Sequence, residues 1–599
     1  MPRNRSALRI RDEEKLKIRI QILAWLFAAA GAFAALFIAR STLGMIRAGV
    51  FRAPVWDQWY FLNRARLWET GKESFWKFLW QQHNEHRMVL NFLILIIDRE
   101  LFAARGTFAL ACAWIFQVLH AVLWCWIYWK EESSAASRTA YAALITGAFF
   151  SAAQFQNFLW PFQANFIAVF FLASMAIACF LIHCRRHSKT FLAMAIMLAV
   201  AATFSMANGM LLWPIFLLMA MTEKSPQKTM LMVLAVGATV LASYLCGYAT
   251  PVQHANPLLS ILHPKLLTGY LGIYFINSLA RMPAFATPVR AGLFIEAFFT
   301  ASFAGYLWKR AQGRAQRYAF YAYSSLFLFG TALLTAMGRI NLGWAQAESS
   351  RYNTPIFLFW MSFGSAACLL LGSRKTRAWR TLGPPALSAV ILMGMLLPRQ
   401  TAAAYLGAEW VREMNISGLS LAVGAFDPEA WHRLSDPGTI EPVLPYLESR
   451  RLSIFSDPDV EKIGVRLATV LKPLPARRCL GSFSGFIAVP SLSPGGVAGR
   501  VFGEGWMDSA RTNPIETVYI ADGHGTIVGL AYGFRPAKHF FKAEDPLRGK
   551  WGGYVLFKRG TRRLFAYGVL PGAMTACPLG STNPRMDKRL SAKRIPPTD

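Results

Sequence analysis

Acidic side chains are scarce, with 32 Asp and Glu among 599 residues against 63 Lys and Arg. Charge of either sign is thin as well, at 16% of the chain, where a soluble domain carries about 25%. The shortfall arises from repeated apolar blocks of roughly 16–22 residues, long enough to cross a bilayer core as helices. Several soluble-enzyme signatures are missing: there is no GxxxxGK before Ser or Thr, no HExxH and no GxSxG. That argues against nucleotide hydrolysis as an energy source within this chain. No CxxC spacing occurs among the eight cysteines, so zinc-ribbon and thioredoxin chemistry are not indicated. No solenoid-type repeat is visible. The net charge of +31 does not point to a nucleic-acid partner, because membrane proteins collect Lys and Arg in cytoplasmic loops facing anionic lipid headgroups.

What is present is a polytopic α-helical membrane protein. About eleven spans are predicted, near 21–39, 107–129, 139–154, 164–183, 190–205, 208–222, 229–248, 291–308, 318–337, 354–372 and 382–397. The first follows a basic N-terminal stretch; "AFA" within it resembles a signal-peptidase site, but its length favours an uncleaved helix. One set of connections is basic ("KEESSAASR", "CRRHSK", "TEKSPQK", "KRAQGRAQR", "SRKTRAWR") and the other aromatic and amide-rich ("QFQNFLWPFQ", "MANG", "GRINLGWAQAESSRYN"). With a cytoplasmic N-terminus the basic set falls inside. Parity then makes 88–105 and 266–281 interfacial or re-entrant, and leaves 41–106 as a large first outer loop. The transmembrane domain is expected over 1–398.

After Pro398 the texture changes. A helical connector is expected over 399–475, then alternating short strands over 476–580 that read as a β-sandwich, and a basic tail over 581–599. This outer α+β region holds Cys479 and Cys577, which form a disulfide if the compartment is periplasmic. The other six cysteines lie in or beside apolar blocks and read as buried thiols.

Candidate chemistry gathers on the outer side. Asp57 sits between Trp56 and Trp59 in "WDQW"; an interfacial carboxylate there would have a raised pKa and serve as general base. The bland alternative is a helix cap beside belt aromatics. "HNEHR" packs His83, Asn84, Glu85, His86 and Arg87 together, and on a helix His83, His86 and Arg87 would share one face. Such a cluster suits an anionic group, with Arg87 holding phosphate and His86 handling a proton. His83, Glu85 and His86 also leave a divalent metal open as a cofactor, at a spacing matching no familiar zinc motif. Asn157, Gln163, Arg339, Arg351 and Tyr352 belong to the same membrane face, where polar groups usually line a site.

This layout resembles the GT-C superfamily of membrane glycosyltransferases. The resemblance rests on an acidic residue opening the first outer loop (Asp57), "HNEHRMVL" before an interfacial helix, similar to the protein mannosyltransferase "HPPL" stretch, and "SSRYNTPIFLFW" opening a late span. It covers residues 1–400 in topology; "WDQW" departs from the paired acidic "DE" of that family, which leaves open whether Asp57 acts alone or with Glu85. The resemblance implies sugar transfer from a polyprenyl-phosphate sugar to an envelope glycan or lipid acceptor at the periplasmic face of a bacterial inner membrane. Asp57, with Glu85 and His86, would be catalytic. Trp56, Trp59, His83, Asn84, Arg87, Asn157, Gln163, Arg339, Arg351 and Tyr352 would bind substrate. An envelope polysaccharide polymerase or ligase is the nearest rival. A transporter is more distant, since no inverted repeat appears.

Overall fold

The computed structural model describes residues 3–251, 257–277, 287–374, 376–473, 479–534, 547–570 and 575–584. The end of the expected interfacial stretch (278–281) and most of the basic tail (585–599) lie outside them. The helices are α1 (Arg3–Arg47), α2 (Asp57–Glu69), α3 (Phe75–Trp80), α4 (Val89–Phe102), α5 (Thr107–Glu131), α6 (Ala135–Phe149), α7 (Phe155–Leu159), α8 (Ala164–Arg186), α9 (Lys189–Thr203), α10 (Leu212–Thr222) and α11 (Gln227–Leu245). There follow α12 (Pro257–Ser260), α13 (Pro264–Ile276), α14 (Pro288–Ala311), α15 (Ala319–Arg339), α16 (Asn353–Gly372), α17 (Arg377–Ile391) and α18 (Leu397–Val423).

Among the described residues, eight helical stretches are long and apolar enough to cross a membrane, as a polytopic helical membrane protein requires. The other three expected spans are shorter. Those at 190–205 and 208–222 become the apolar helices Lys189–Thr203 and Ala207–Thr222, and that at 139–154 becomes the 15-residue α6. Fifteen residues rise about 22 Å, short of the roughly 30 Å hydrocarbon core. Two of these helices end against broken 3₁₀ segments, Ala152–Gln154 after α6 and Ala207–Leu211 after α9. Irregular backbone at membrane depth is tolerated only where protein or a cavity satisfies it. That is the case here, since Gln154 and Gln163 are buried and Ala207 and Asn208 line a cavity.

Residues 41–47, expected to open the first outer loop, continue α1, and residues 48–106 carry three short helices beside the bundle. α4 carries an outward apolar stripe of Leu93, Ile97 and Leu101, each at least partly exposed, at i, i+4 and i+8 on one face. Its other face buries Asp98, whose carboxylate accepts from the amides of Gly106 and Phe108, both at 2.7 Å, and so caps α5. A 14-residue helix with this division suits a surface position.

The expected boundary at Pro398 is not a break. Residues Ala378–Val423 form one 46-residue helical stretch through a π-helical turn at Leu392–Leu396. Pro398 lies just after that turn; a proline inside a helix has no N–H to give the preceding turn, and local widening of this kind accompanies such an interruption. The second half of α18 leaves the bundle and becomes the spine of the C-terminal part, packing on α19 (Pro428–Leu434) and the sheet.

The strands are β1 (Lys472–Pro473), β2 (Leu480–Val489), β3 (Gly496–Trp506), β4 (Thr517–Ala521), β5 (Ile527–Gly533), β6 (Lys550–Lys558), β7 (Leu564–Val569) and β8 (Thr575–Thr582). They form one eight-stranded sheet, ordered β1-β8-β7-β4-β5-β6-β3-β2, rather than the expected sandwich of two. The sheet curls until β2 meets β8: Gly481 packs on Leu579, Gly580 on Phe483, and the Cys479–Cys577 disulfide joins them, as expected. Alternation explains why the pattern imitated a sandwich. Val518, Ile520, Val528, Ala531 and Val555 point into the curl. Tyr519, Ile527, Leu530, Tyr532 and Tyr554 point out against α18 and the 41–106 segment. Both faces are buried, so the sheet has two packing partners.

Arg52 rivets these parts together. Its guanidinium meets Asp457 at 2.7 Å, Asp459 at 3.3 Å and the Tyr532 hydroxyl at 2.9 Å. Burial pushes the Asp459 carboxyl up, but the Tyr519 hydroxyl and the Arg52 and Lys462 charges hold it below the usual range.

Candidate functional site

A cavity of about 280 Å³ opens where the 41–106 segment meets the bundle. The stretch that the sequence analysis placed on a helix forms one wall in another way. Residues 83–86 make a tight two-residue turn in which His83 and His86 exchange both backbone hydrogen bonds, at 2.8 and 2.9 Å. Asn84 holds a φ of +48°, a left-handed conformation that Asn tolerates better than most residues. The turn directs the two histidines to different carboxylates. His83 Nε2 lies 3.5 Å from Asp57 Oδ1, and His86 Nε2 lies 3.3 Å from Glu85 Oε1. The Ala207 amide donates to His86 Nδ1 at 3.1 Å, so when neutral the His86 proton resides on Nε2, toward Glu85.

Asp57 is the first residue of α2. It is not the cap, since Trp56 occupies that place with a φ of +50° and no side-chain capping bond. Trp56 is held by its amide to Leu434 at 2.6 Å and its indole to the Arg433 carbonyl at 3.1 Å. A bulky residue at positive φ is strained by about 1–3 kcal/mol, and the clamp from α19 holds Asp57 at the cavity wall. The expected upward pKa shift of Asp57 is overturned. Burial does push it up, but His83's hydrogen bond and charge, then Arg351 and Arg339, outweigh burial and leave it below the usual carboxylate range. The helix N-terminus adds a pull in the same sense.

Opposite stand two arginines. Arg339, the last residue of α15, meets Glu85 Oε1 at 2.8 Å. Arg351 makes no direct ion pair among the described residues; its guanidinium stacks over Tyr352 at 5.4 Å. Its backbone is fixed by Gln156 Oε1, accepting from its amide at 3.2 Å, and by Asn157 Nδ2, donating to its carbonyl at 2.8 Å. Asp57 and Glu85 thus face Arg339 and Arg351 across one space, with Asn84, Gln163 and Tyr352 completing the polar lining. The remaining wall is apolar: Phe162, Phe166 and Phe170 at helical spacing on and before α8, then Leu245 and Leu334. Those two leucines are 54% and 36% exposed and lie on span-length apolar helices, so the cavity reaches the apolar outer surface of the bundle.

Four expected substrate-binding residues lie elsewhere. Trp59 is fully buried with its indole on the Pro54 carbonyl at 2.9 Å. Trp56 packs edge-on to Trp160. Asn157 braces Arg351 from behind and bonds Thr354 at 2.8 Å. Arg87 is buried and donates to the Tyr244 and Trp80 carbonyls, each at 2.6 Å, and to the Cys246 carbonyl. It therefore caps the end of α11, where a cation satisfies orphan carbonyls and complements the helix dipole. A phosphate would have to compete with three carbonyls for it.

The sequence analysis missed Asn165, Asn208, Thr331, Thr335 and Tyr244, all in the lining. The signal for two of them was there: Thr331, Thr335 and Arg339 stand four residues apart on α15, one stripe leading to the arginine. His83, Glu85 and His86 do not come together as three ligands to one ion. Among the described residues no three His, Cys, Asp or Glu come together to hold an ion, because the turn sends His83 and His86 to separate partners. The chemistry on hand is an ionised carboxylate backed by an imidazole, two cations, and an apolar wall leading outward. No protein-family model matches the chain, and no curated protein matches it in sequence.

Proposed function

We propose that the protein is a membrane glycosyltransferase of the GT-C type. It would move a sugar from a polyprenyl-phosphate donor to a hydroxyl of an envelope glycan or lipid acceptor at the periplasmic face of a bacterial inner membrane. The observation that carries this reading is the meeting of Asp57, Arg339 and Arg351 in one cavity whose wall continues to exposed leucines on long apolar helices. At about 280 Å³ it lies near the lower end of small-molecule sites, roughly 300–1,000 Å³. That suits a sugar phosphate with its hydrocarbon chain left outside. The Cys479–Cys577 bridge supports placing the sheet, and the loop riveted to it, in an oxidising compartment.

In this mechanism the acceptor oxygen attacks the anomeric carbon while its proton passes to Asp57. The bond from that carbon to the phosphate oxygen breaks, and the electron pair leaves with polyprenyl phosphate, whose charge Arg351 and Arg339 stabilise. His83 positions the carboxylate through Oδ1. A carboxylate held below its usual pKa is a weak base, yet the cause of the depression is partly those same arginines. Donor phosphate bound between them cancels their pull and raises the basicity of Asp57 when substrate is in place. Glu85 and His86 act as holders of Arg339 in this scheme, not as the base.

The test is analysis of envelope glycans from cells producing Asp57→Asn or Arg351→Gln at wild-type protein level. Loss of one sugar substituent in both is expected; intact glycans in either would sink the reading.

A further inference from the structure

The cavity that holds Asp57 changes character along its length. Its charges gather at the outer end, where the 41–106 segment meets Arg339 and Arg351. Deeper in the bundle the described polar lining is neutral: Asn165 on α8, Asn208 in the 3₁₀ segment after α9, and Thr331 and Thr335 on α15. Thr335 and Thr331 precede Arg339 by four and eight residues, about 6 and 12 Å of helix rise into the bundle.

An amide at this depth is costly unless it is hydrogen-bonded. Yet the Oδ1 atoms of Asn165 and Asn208 are buried with no partner among the described residues. Both side chains line the cavity, in residues only 4% and 6% exposed. A neighbour fixes the orientation of Asn208. Thr331 Oγ1 donates its one proton to the Phe327 carbonyl at 2.9 Å, so toward Asn208 it can only accept, and it does so from Nδ2 at 3.3 Å. The amide oxygen is therefore the end left over. Thr335 repeats the pattern: it donates to the Thr331 carbonyl at 2.8 Å and keeps its lone pairs. Backbone packing holds the wall in place. A Cβ at Gly209 would lie 2.3 Å from the Ala202 backbone, so the segment carrying Asn208 is pressed against the end of α9. Ser205 Oγ from the same break donates to the Asn165 carbonyl at 3.3 Å.

The capacity left at Asn208 and Thr335 is that of acceptors, and Asn165 adds a third oxygen. An ionised phosphate or carboxylate brings only acceptors and cannot answer them; hydroxyl groups can. The outer end has the opposite preference, because Arg339 and Arg351 favour an anion. A molecule that satisfies both ends carries a phosphate at one and hydroxyls at the other.

We propose that Asn208, with Asn165 and Thr335, selects the donor sugar by accepting hydrogen bonds from hydroxyls remote from its anomeric carbon. The inference rests on the proposed glycosyl transfer and adds an orientation to it: phosphate at the arginines, far hydroxyls pointing into the bundle. An analogue lacking one of those hydroxyls leaves a buried acceptor unpaired, which is how such sites reject near-isosteres.

The experiment measures binding of undecaprenyl phosphate to the full chain in nanodiscs, with the phosphate bare or carrying glucose, galactose, mannose, arabinose or N-acetylglucosamine. At least one glycosylated lipid should bind the wild type more tightly than the bare lipid. Asn208→Leu should weaken that lipid by about 5- to 150-fold, the cost of leaving one buried hydroxyl unpaired, and leave the bare lipid unchanged. Thr335→Val should act in the same direction. Single-deoxy analogues of the preferred sugar locate the contact. One of them should bind the wild type as weakly as the parent binds Asn208→Leu, and should lose nothing further in that variant. Gln117→Leu is the control, since Gln117 on α5 is equally buried with an unpartnered Oε1 among the described residues but lies outside the lining of this cavity; the sugar preference should survive it. No preference for any sugar in the wild type, an undiminished preference in Asn208→Leu, or an equal loss in Gln117→Leu would overturn the proposal. Should Asn208→Leu fail to fold, the deoxy series on the wild type decides, and indifference to every deoxygenation would overturn it. Failure of the wild type to bind even the bare lipid would instead refute the polyprenyl-phosphate reading, and this inference with it.

Discussion

Replacing Asp57 by Asn separates the proposed roles of that residue, because base and charge act on different kinetic constants. The amide keeps the shape and a contact to His83 at the observed 3.5 Å, but cannot take a proton. Loss of a positioned general base typically lowers the chemical step by about 10²–10⁴-fold, or roughly 2.7–5.4 kcal/mol of barrier. Binding moves the other way. Asp57 is one of two carboxylates facing Arg339 and Arg351, and its depressed pKa reports His83 first and then their attraction. Removing its charge frees that attraction for the donor phosphate. Since the Asp57 side chain is 35% exposed, solvent screens part of the effect, and the gain in affinity should be about 3- to 10-fold. The assay is transfer of labelled sugar in proteoliposomes, with polyprenyl-phosphate binding measured on the same preparation. A fall in kcat with unchanged or lower donor KM and tighter product binding is expected. A raised donor KM with kcat intact would make Asp57 a substrate contact only, and the mechanism would be refuted.

Three further outcomes follow from the same geometry. Stability should report the Asp57 carboxylate with a definite sign: its folded pKa is depressed, so it stabilises the fold above the ordinary carboxylate pKa of about 3.9. That contribution is lost as pH falls through the lower folded value, so the melting temperatures of wild type and Asp57→Asn should converge only in that acid range. Arg87→Ala should lower thermal stability in detergent by about 3 kcal/mol or more, from charged hydrogen bonds worth roughly 1.5–3 kcal/mol each; Arg87→Lys should not restore it, because an ammonium lacks the fork that reaches three carbonyls. An unchanged melting temperature in Arg87→Ala would return that residue to the list of ligand contacts. Reducing Cys479–Cys577, which closes 98 residues of chain, should destabilise the sheet by up to about 4.7 kcal/mol, seen as protease cleavage within 479–582 at temperatures where the oxidised chain resists.

Much of the site was legible as a list of residues and little of it as an arrangement. Asp57, His83, Glu85, Arg339 and Arg351 stand out because charge and amides are costly beside apolar runs, so composition alone marks them. Arg87 carries the same mark for another reason: it satisfies the end of α11, a partner 157 residues away in sequence. Local pattern cannot distinguish a cation that waits for a ligand from one already used by backbone carbonyls. The helix expected for "HNEHR" failed because two tertiary contacts, Ala207 on His86 and Tyr244 on the Glu85 carbonyl at 2.9 Å, hold a turn that periodicity does not encode. The direction of the Asp57 pKa failed similarly: burial was anticipated, but it is outweighed first by His83, which the turn brings against Asp57, and then by two arginines from segments nearly 300 residues downstream.

The sequence by itself determined the solvent each segment requires. Apolar length requires a membrane-spanning helix wherever about 20 residues run without charge, alternation requires strands, and Cys479 and Cys577 stand apart from the other six cysteines in a polar region, as candidates for one bridge. Those are local or pairwise constraints. Only the tertiary structure decided that one curled sheet buries both faces where alternation suggested two sheets. It also decided that Pro398 lies inside a continuous helix, and that Asp57 meets Arg339 and Arg351 while Arg87 turns away. Each of these depends on which surfaces meet, and the free energy of that meeting belongs to pairs of segments that no single stretch of chain contains.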